Sequence, residues 1–187
     1  MLLNWIIGLS ALCAAGICRI VGGFGSFAWI WLLPLGFAGC FLLCLLLCFL
    51  AAWIPAGNVD PQKEQDGDDP YIRALVKLYA PAACKLLGLR IRTAGTEKLP
   101  QNGRFLLVCN HLYDLDPAIV LTVFPDAQLA FISKKENLQK PIVGPLMLKI
   151  QCQLIDREND RAALKTILKC ISILKEDQAS IAVFPEG

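Results

Sequence analysis

The chain has 187 residues, room for one domain and a little more, and 56% of them are hydrophobic. A formal net charge of +2 is too small and too loosely arranged to mark a nucleic-acid binder, which removes that class. Nine cysteines without a C-x-x-C spacing, beside a single histidine, argue against a zinc site and for a reduced, cytosol-facing protein.

From Met1 to Val59 the only charged side chain is Arg19. A soluble domain carries charge throughout, so this end is expected in lipid. Phe27 to Ile54 is 28 residues without charge, about 42 Å as a helix, enough to span a hydrocarbon core of roughly 30 Å with tilt or a kink at Pro34. Leu2 to Cys18 is 17 residues, about 25 Å, and the breaker run "GGFGS" follows it. That pattern predicts the first arm of a hairpin, either two crossings or a re-entrant pair. A cleaved signal peptide is the competing reading, but the stretch lacks a Lys/Arg start and a clear A-x-A site. Cys40, Cys44 and Cys48 recur every four residues on one helix face and read as small apolar packing.

Pro55 to Pro70, "PAGNVDPQKEQDGDDP", turns abruptly polar and acidic and reads as a solvated linker between an anchor over 1–54 and a domain over 71–187. Tyr71 to Leu87 has helix-spaced apolar residues, with a bend or interruption expected at Pro81. Arg73, Lys77, Lys85, Arg90 and Arg92 fall between Tyr71 and Thr96 without an acid among them. They form either a solvated helix face or a basic collar on anionic headgroups; the collar would put this side in the cytoplasm.

Alternation follows. Leu89 to Thr93 and Arg104 to Cys109 are strand-like, Pro117 to Phe124 predicts a short helix, and Gln128 to Ser133 another strand. A short helix is expected over Pro141 to Ile150 and a strand over Cys152 to Ile155. From Asn159 to Glu176 the apolar residues line one face, with Asn159 or Asp160 as cap, and "SIAVFPEG" is an apolar strand running into a turn. Strands alternating with helices predict an α/β fold, a mixed sheet flanked by helices behind a helical-hairpin membrane anchor. Because a buried strand seldom ends a chain, the domain is expected to be incomplete after Gly187.

The only histidine lies in "NHLYDLDP", Asn110 to Pro117. Histidine can take and return a proton near neutral pH, its unperturbed pKa being about 6.5, and a neighbouring carboxylate fixes its tautomer. Asp116, five residues on, and Asp114, three on, are both candidates. Asp116 before Pro117 also reads as an ordinary helix N-cap, and His111 as a hydrogen-bonded residue at a strand end.

The series "LLVCNHLYDLDP", "SKKENLQKPIVGPL", "LIDREN" and "FPEG" resembles the bacterial 1-acyl-glycerol-3-phosphate (lysophosphatidic acid) acyltransferases with their His-x4-Asp motif, over Phe105 to Gly187. The resemblance implies that His111 takes the proton of the acceptor hydroxyl and that Asp116 orients the ring; one carboxylate oxygen could cap the helix while the other holds His111, so the two readings of Asp116 need not exclude each other. It implies that Lys134 and Arg157 meet the acceptor phosphate, the alternative being surface ion pairing, and that Glu186 and Gly187 contribute to acceptor binding. No metal or redox cofactor is implied; the co-substrate would be acyl-CoA or acyl carrier protein, the acceptor a lysophospholipid and the setting the membrane. The chain departs from the family at Tyr113, where serine is usual, at Asn137, where leucine is usual, and at Gln151, where glycine is common. The Thr-Arg that follows Gly187 in the family, and a later proline-containing block, lie outside this sequence. Another lipid acceptor, or a non-catalytic relative in which His111 and Asp116 merely pack, are the alternatives.

Overall fold

The computed structural model describes residues 2–21, 27, 29–61, 63, 65, 67–100 and 103–185. The chain divides into two compact units, Met1–Ile54 and Pro55–Gly187.

In the first unit, α1 (Leu2–Ile20) and α2 (Trp29–Gly57) are both long and apolar enough to cross a membrane. The buried residues of α1, Ile6, Ser10, Ala14 and Cys18, recur every four positions. Small side chains there allow close approach of the backbones, and a Cβ on Gly36 of α2 would sit 3.4 Å from the Ala14 Cα. Ser10 keeps its hydroxyl satisfied by donating to the Ile6 carbonyl at 2.7 Å. Outward, α2 exposes Leu42, Leu43, Leu46 and Leu47, an apolar surface suited to hydrocarbon. The GGFGS turn, Gly22–Ser26, lies outside the described residues.

The second unit opens inside the stretch expected to be a solvated linker. Asp69 accepts hydrogen bonds from the amides of Tyr71 (2.9 Å) and Ile72 (3.1 Å), and with Pro70 in the first turn it starts α3 (Pro70–Leu86). The Asp69 amide donates to the Lys149 carbonyl at 2.8 Å, so the end of that stretch is knit into the fold. Helix α3 runs unbroken through Pro81, so of the bend or interruption expected there the interruption is absent; a proline removes one backbone donor but does not force a break when the flanking turns are packed.

Leu89 to Thr93, expected to be a strand, is not one. Gly88, at φ +71°, and Leu89 close α3: the Gly88 amide donates to Lys85 (3.1 Å) and the Leu89 amide to Cys84 (2.9 Å). This is a Schellman motif, which uses the Leu89 donor that a ladder would need.

Then come β1 (Leu106–Val108), α4 (Asp116–Val123), β2 (Leu129–Lys134), α5 (Val143–Lys149), β3 (Gln153–Ile155), α6 (Asp160–Lys175) and β4 (Ser180–Val183). Sheet order is β1-β4-β2-β3. All three pairings are parallel, where a mixed sheet was expected; the α/β class with flanking helices holds. The crossovers β1-α4-β2 and β3-α6-β4 each move two strands, in opposite directions. Right-handed connection therefore puts α4 and α6 on opposite faces. Helix α3 packs on α4 and α5 on one side, while Cys170 and Ile173 of α6 join Ala130, Ala179 and Ile181 in a core cluster on the other.

Arg73, counted above in a basic collar, is instead buried, 6% exposed. Its guanidinium donates to Asp68 (Nη2 to Oδ1, 2.7 Å; Nε to Oδ2, 3.0 Å) and to the carbonyls of Leu129 (2.6 Å) and Ile150 (3.2 Å). It ties α3 to the start of β2 and the end of α5. Gly144 is needed where α5 meets the turn before it, because a Cβ there would lie 2.2 Å from the Leu138 carbonyl oxygen.

Candidate active site

Four parallel strands deliver their C-terminal ends to one edge of the sheet, the edge where open α/β sheets bind ligands. Each block of the His-x4-Asp resemblance follows one strand: Asn110–His111 after β1, Lys134 at the end of β2, Asp156–Arg157 after β3, and Phe184 after β4. Pairing continues one residue beyond β1, the Cys109 amide donating to the Val183 carbonyl at 3.1 Å, which holds the His111 turn beside the end of β4.

His111 Nδ1 lies 2.9 Å from Asp116 Oδ2, with the two side chains 24% and 19% exposed. The same oxygen accepts from the amides of Leu112 (2.7 Å) and Tyr113 (2.9 Å). Burial raises the Asp116 pKa, but the Tyr113 and Leu112 amides, joined by His111, outweigh it and hold the carboxyl below its ordinary value. An ionised carboxylate has no proton to give, so Nδ1 is a protonated ring nitrogen, and in the neutral ring Nε2 carries the lone pair. Among the described residues Nε2 has no hydrogen-bond partner.

The double role expected for Asp116 is corrected in one half. Asp116 is the first residue of α4 and the N-cap position falls on Leu115, which makes no side-chain cap; the Asp116 carboxylate faces back over the turn that precedes the helix. One oxygen gathers the turn amides and the ring together. Asp114 turns outward, 87% exposed, with Lys140 Nζ at 3.7 Å, so the carboxylate beside the ring is Asp116.

Lys134 and Arg157 are exposed on adjacent strand ends, and neither pairs with an acid among the described residues. The neighbouring pair does: Lys135 Nζ lies 2.7 Å from Asp156 Oδ2, a hydrogen bond that holds the lysine above and the aspartate below their usual ranges. Among the described residues, surface pairing thus takes up Lys135 and leaves Lys134 and Arg157 with open charge. Glu186 and Gly187 lie outside the described residues.

Two residues beside the Asp116–His111 pair were not singled out from the sequence. Cys109 is a thiol at neutral pH, since burial and then the Asp116 charge raise its pKa, so it is not an activated nucleophile. Phe184 lies against His111 with ring centroids 4.7 Å apart, and stacks on Phe131 of β2 at 6.0 Å. The available signal was an aromatic residue ending a buried strand.

The sequence profile of the family described as acyltransferase matches residues 90–187. A 1-acyl-sn-glycerol-3-phosphate acyltransferase of Borreliella burgdorferi is 27% identical over 116 residues, 62% of this chain and 44% of that protein. Proteins of the same name from Cocos nucifera (31% identical, 54% of this chain, 32% of the relative) and Bacillus subtilis (29% identical, 60% and 56%) are also similar. The chain spans less than two thirds of the length of each. No solved structure matches it.

Proposed function

The chain belongs to the acyltransferase family, and from that premise we propose that it moves a fatty acyl group from a thioester to the free hydroxyl of 1-acyl-glycerol-3-phosphate, giving phosphatidic acid. The observation that carries this reading is the Asp116–His111 pair at 2.9 Å, with Nε2 unpartnered among the described residues, on the edge that also presents Lys134 and Arg157.

In the proposed reaction His111 Nε2 accepts the acceptor's hydroxyl proton as its oxygen attacks the thioester carbonyl carbon. The C–O bond forms, the tetrahedral intermediate collapses, the C–S bond breaks, and the imidazolium returns its proton to the departing sulfur. Asp116 holds the tautomer and stabilises the transient charge. Lys134 and Arg157 hold the acceptor phosphate, and Glu186 and Gly187 contribute to acceptor binding. Since the thioester of acyl-CoA or acyl carrier protein arrives activated, the step calls for no resident metal or redox group. The helices over 1–54 are proposed to anchor the domain on the cytoplasmic face of a membrane, where a two-tailed product is delivered.

The test is acyl transfer in detergent or vesicles from a thioester donor to lysophosphatidic acid, with glycerol phosphate and other lysolipids as competing acceptors. His111→Ala is expected to lose about 10³-fold or more of kcat. Turnover equal to wild type in that variant would sink the enzymatic reading, and preference for another lysolipid would reassign the acceptor.

A further inference from the structure

Among the described residues, the hydrogen bond from Nδ1 to Asp116 is the only one that pins the His111 ring. A ring held at one point can still turn about that bond, and turning carries the Nε2 lone pair along an arc. A general base gains its rate from a fixed direction toward the proton, and misplacement by about 1 Å costs on the order of 10²-fold.

What restricts the turn is the face of Phe184. Its centroid lies 4.7 Å from that of the imidazole, with 31° between the planes. Phe184 in turn rests on Phe131, 6.0 Å away and within 9° of parallel, and Phe131 is 6% exposed. The stack runs from the turn after β1, across the end of β4, to β2, and its far end is anchored in the sheet. Because the Cys109 amide bonds the Val183 carbonyl, the backbones carrying the two facing rings are held in register. A phenyl face against the ring also attracts the imidazolium formed during transfer.

We propose that Phe184 is a positioning residue for the acyl transfer: it fixes the ring plane of His111 so that the Nε2 lone pair points at the acceptor hydroxyl. This rests on the reading of His111 as the general base, and the test separates the two. His111 is the only histidine, so selective 15N and 13C histidine labelling gives one imidazole spin system in the full chain. In wild type, the Nδ1-protonated tautomer and nuclear Overhauser contacts from the ring protons to a phenylalanine ring are expected. Phe184→Leu is expected to abolish those contacts, keep the tautomer, and lower kcat by about 10²-fold with KM for both substrates within about twofold. Phe184→Tyr, which keeps the aromatic face, is expected to restore both signals and turnover.

Absence of the contacts in wild-type protein would overturn the inference without any variant being made. So would wild-type kcat in Phe184→Leu while His111→Ala is inactive, or failure of a folded Phe184→Tyr to recover turnover. Full activity in His111→Ala would instead overturn the reading on which it rests.

Discussion

Asp116 accepts three hydrogen bonds on a single oxygen, two from the amides of its own turn and one from the ring it serves. Stability and catalysis therefore meet in one charge. Replacing that charge with the neutral amide in Asp116→Asn is expected to lower kcat on the order of 10³-fold by allowing the wrong tautomer, whereas Asp114→Asn stays near wild type, because Asp114 faces solvent and Lys140. A large loss at Asp114 alone would show the wrong partner was assigned. The pH dependence has a definite sign. The folded carboxyl titrates below its ordinary value, so its stabilisation is fully present above the unfolded pKa of about 3.9 and is lost as pH falls through the lowered folded one. Thermal melting should show a gap between wild type and Asp116→Asn at neutral pH that closes on acidification below about pH 4.

At the scale of elements, α3 shows how far local pattern reaches. Its apolar face and its length follow from periodicity, whereas its Asp69 cap and Pro70 start fell in the stretch read as linker. The segment after its end was misread, because the alternation in "LGLRIR" looks like a strand unless Gly88 is taken as the left-handed closing residue. Arg73 was misread for another reason: of the groups it bonds, Asp68 falls in the stretch read as linker, and Leu129 and Ile150 lie 56 and 77 residues away. Arg73→Ala leaves Asp68 and two carbonyls short of a partner in a buried setting. A loss of about 3–5 kcal/mol in denaturant unfolding is expected, and Arg73→Lys should recover little of it, since an ammonium cannot reproduce the fork. Gln151 belongs here as well. It sits at φ +63°, a conformation that favours glycine, which gives a physical reason for the glycine usual at that position in the family.

At the scale of the whole sheet, the proposed phosphate site is made by topology. Lys134 and Arg157 are 23 positions apart in sequence, yet β2 pairs with β3 so that Lys134 stands opposite Ile155, two residues before Arg157. Lys134→Ala and Arg157→Ala are each expected to raise KM for a phosphate-bearing acceptor roughly tenfold with little change in kcat. The double variant should cost less than the product of the two, because both charges act on one group. An acceptor without phosphate should be indifferent to either change, and equal losses with it would remove the phosphate role.

Sequence alone determined the two apolar helices, the α/β alternation and the His-x4-Asp block, because charge distribution, periodicity and short spacings are local properties of a chain. Only the tertiary structure decided which carboxylate faces the ring, that Arg73 is an interior clamp, and that Phe184 lies on the imidazole. The first is settled within one turn after β1; the other two depend on strand order and register, which bring together residues tens of positions apart, and a parallel sheet leaves no short-range trace of which strands will be neighbours.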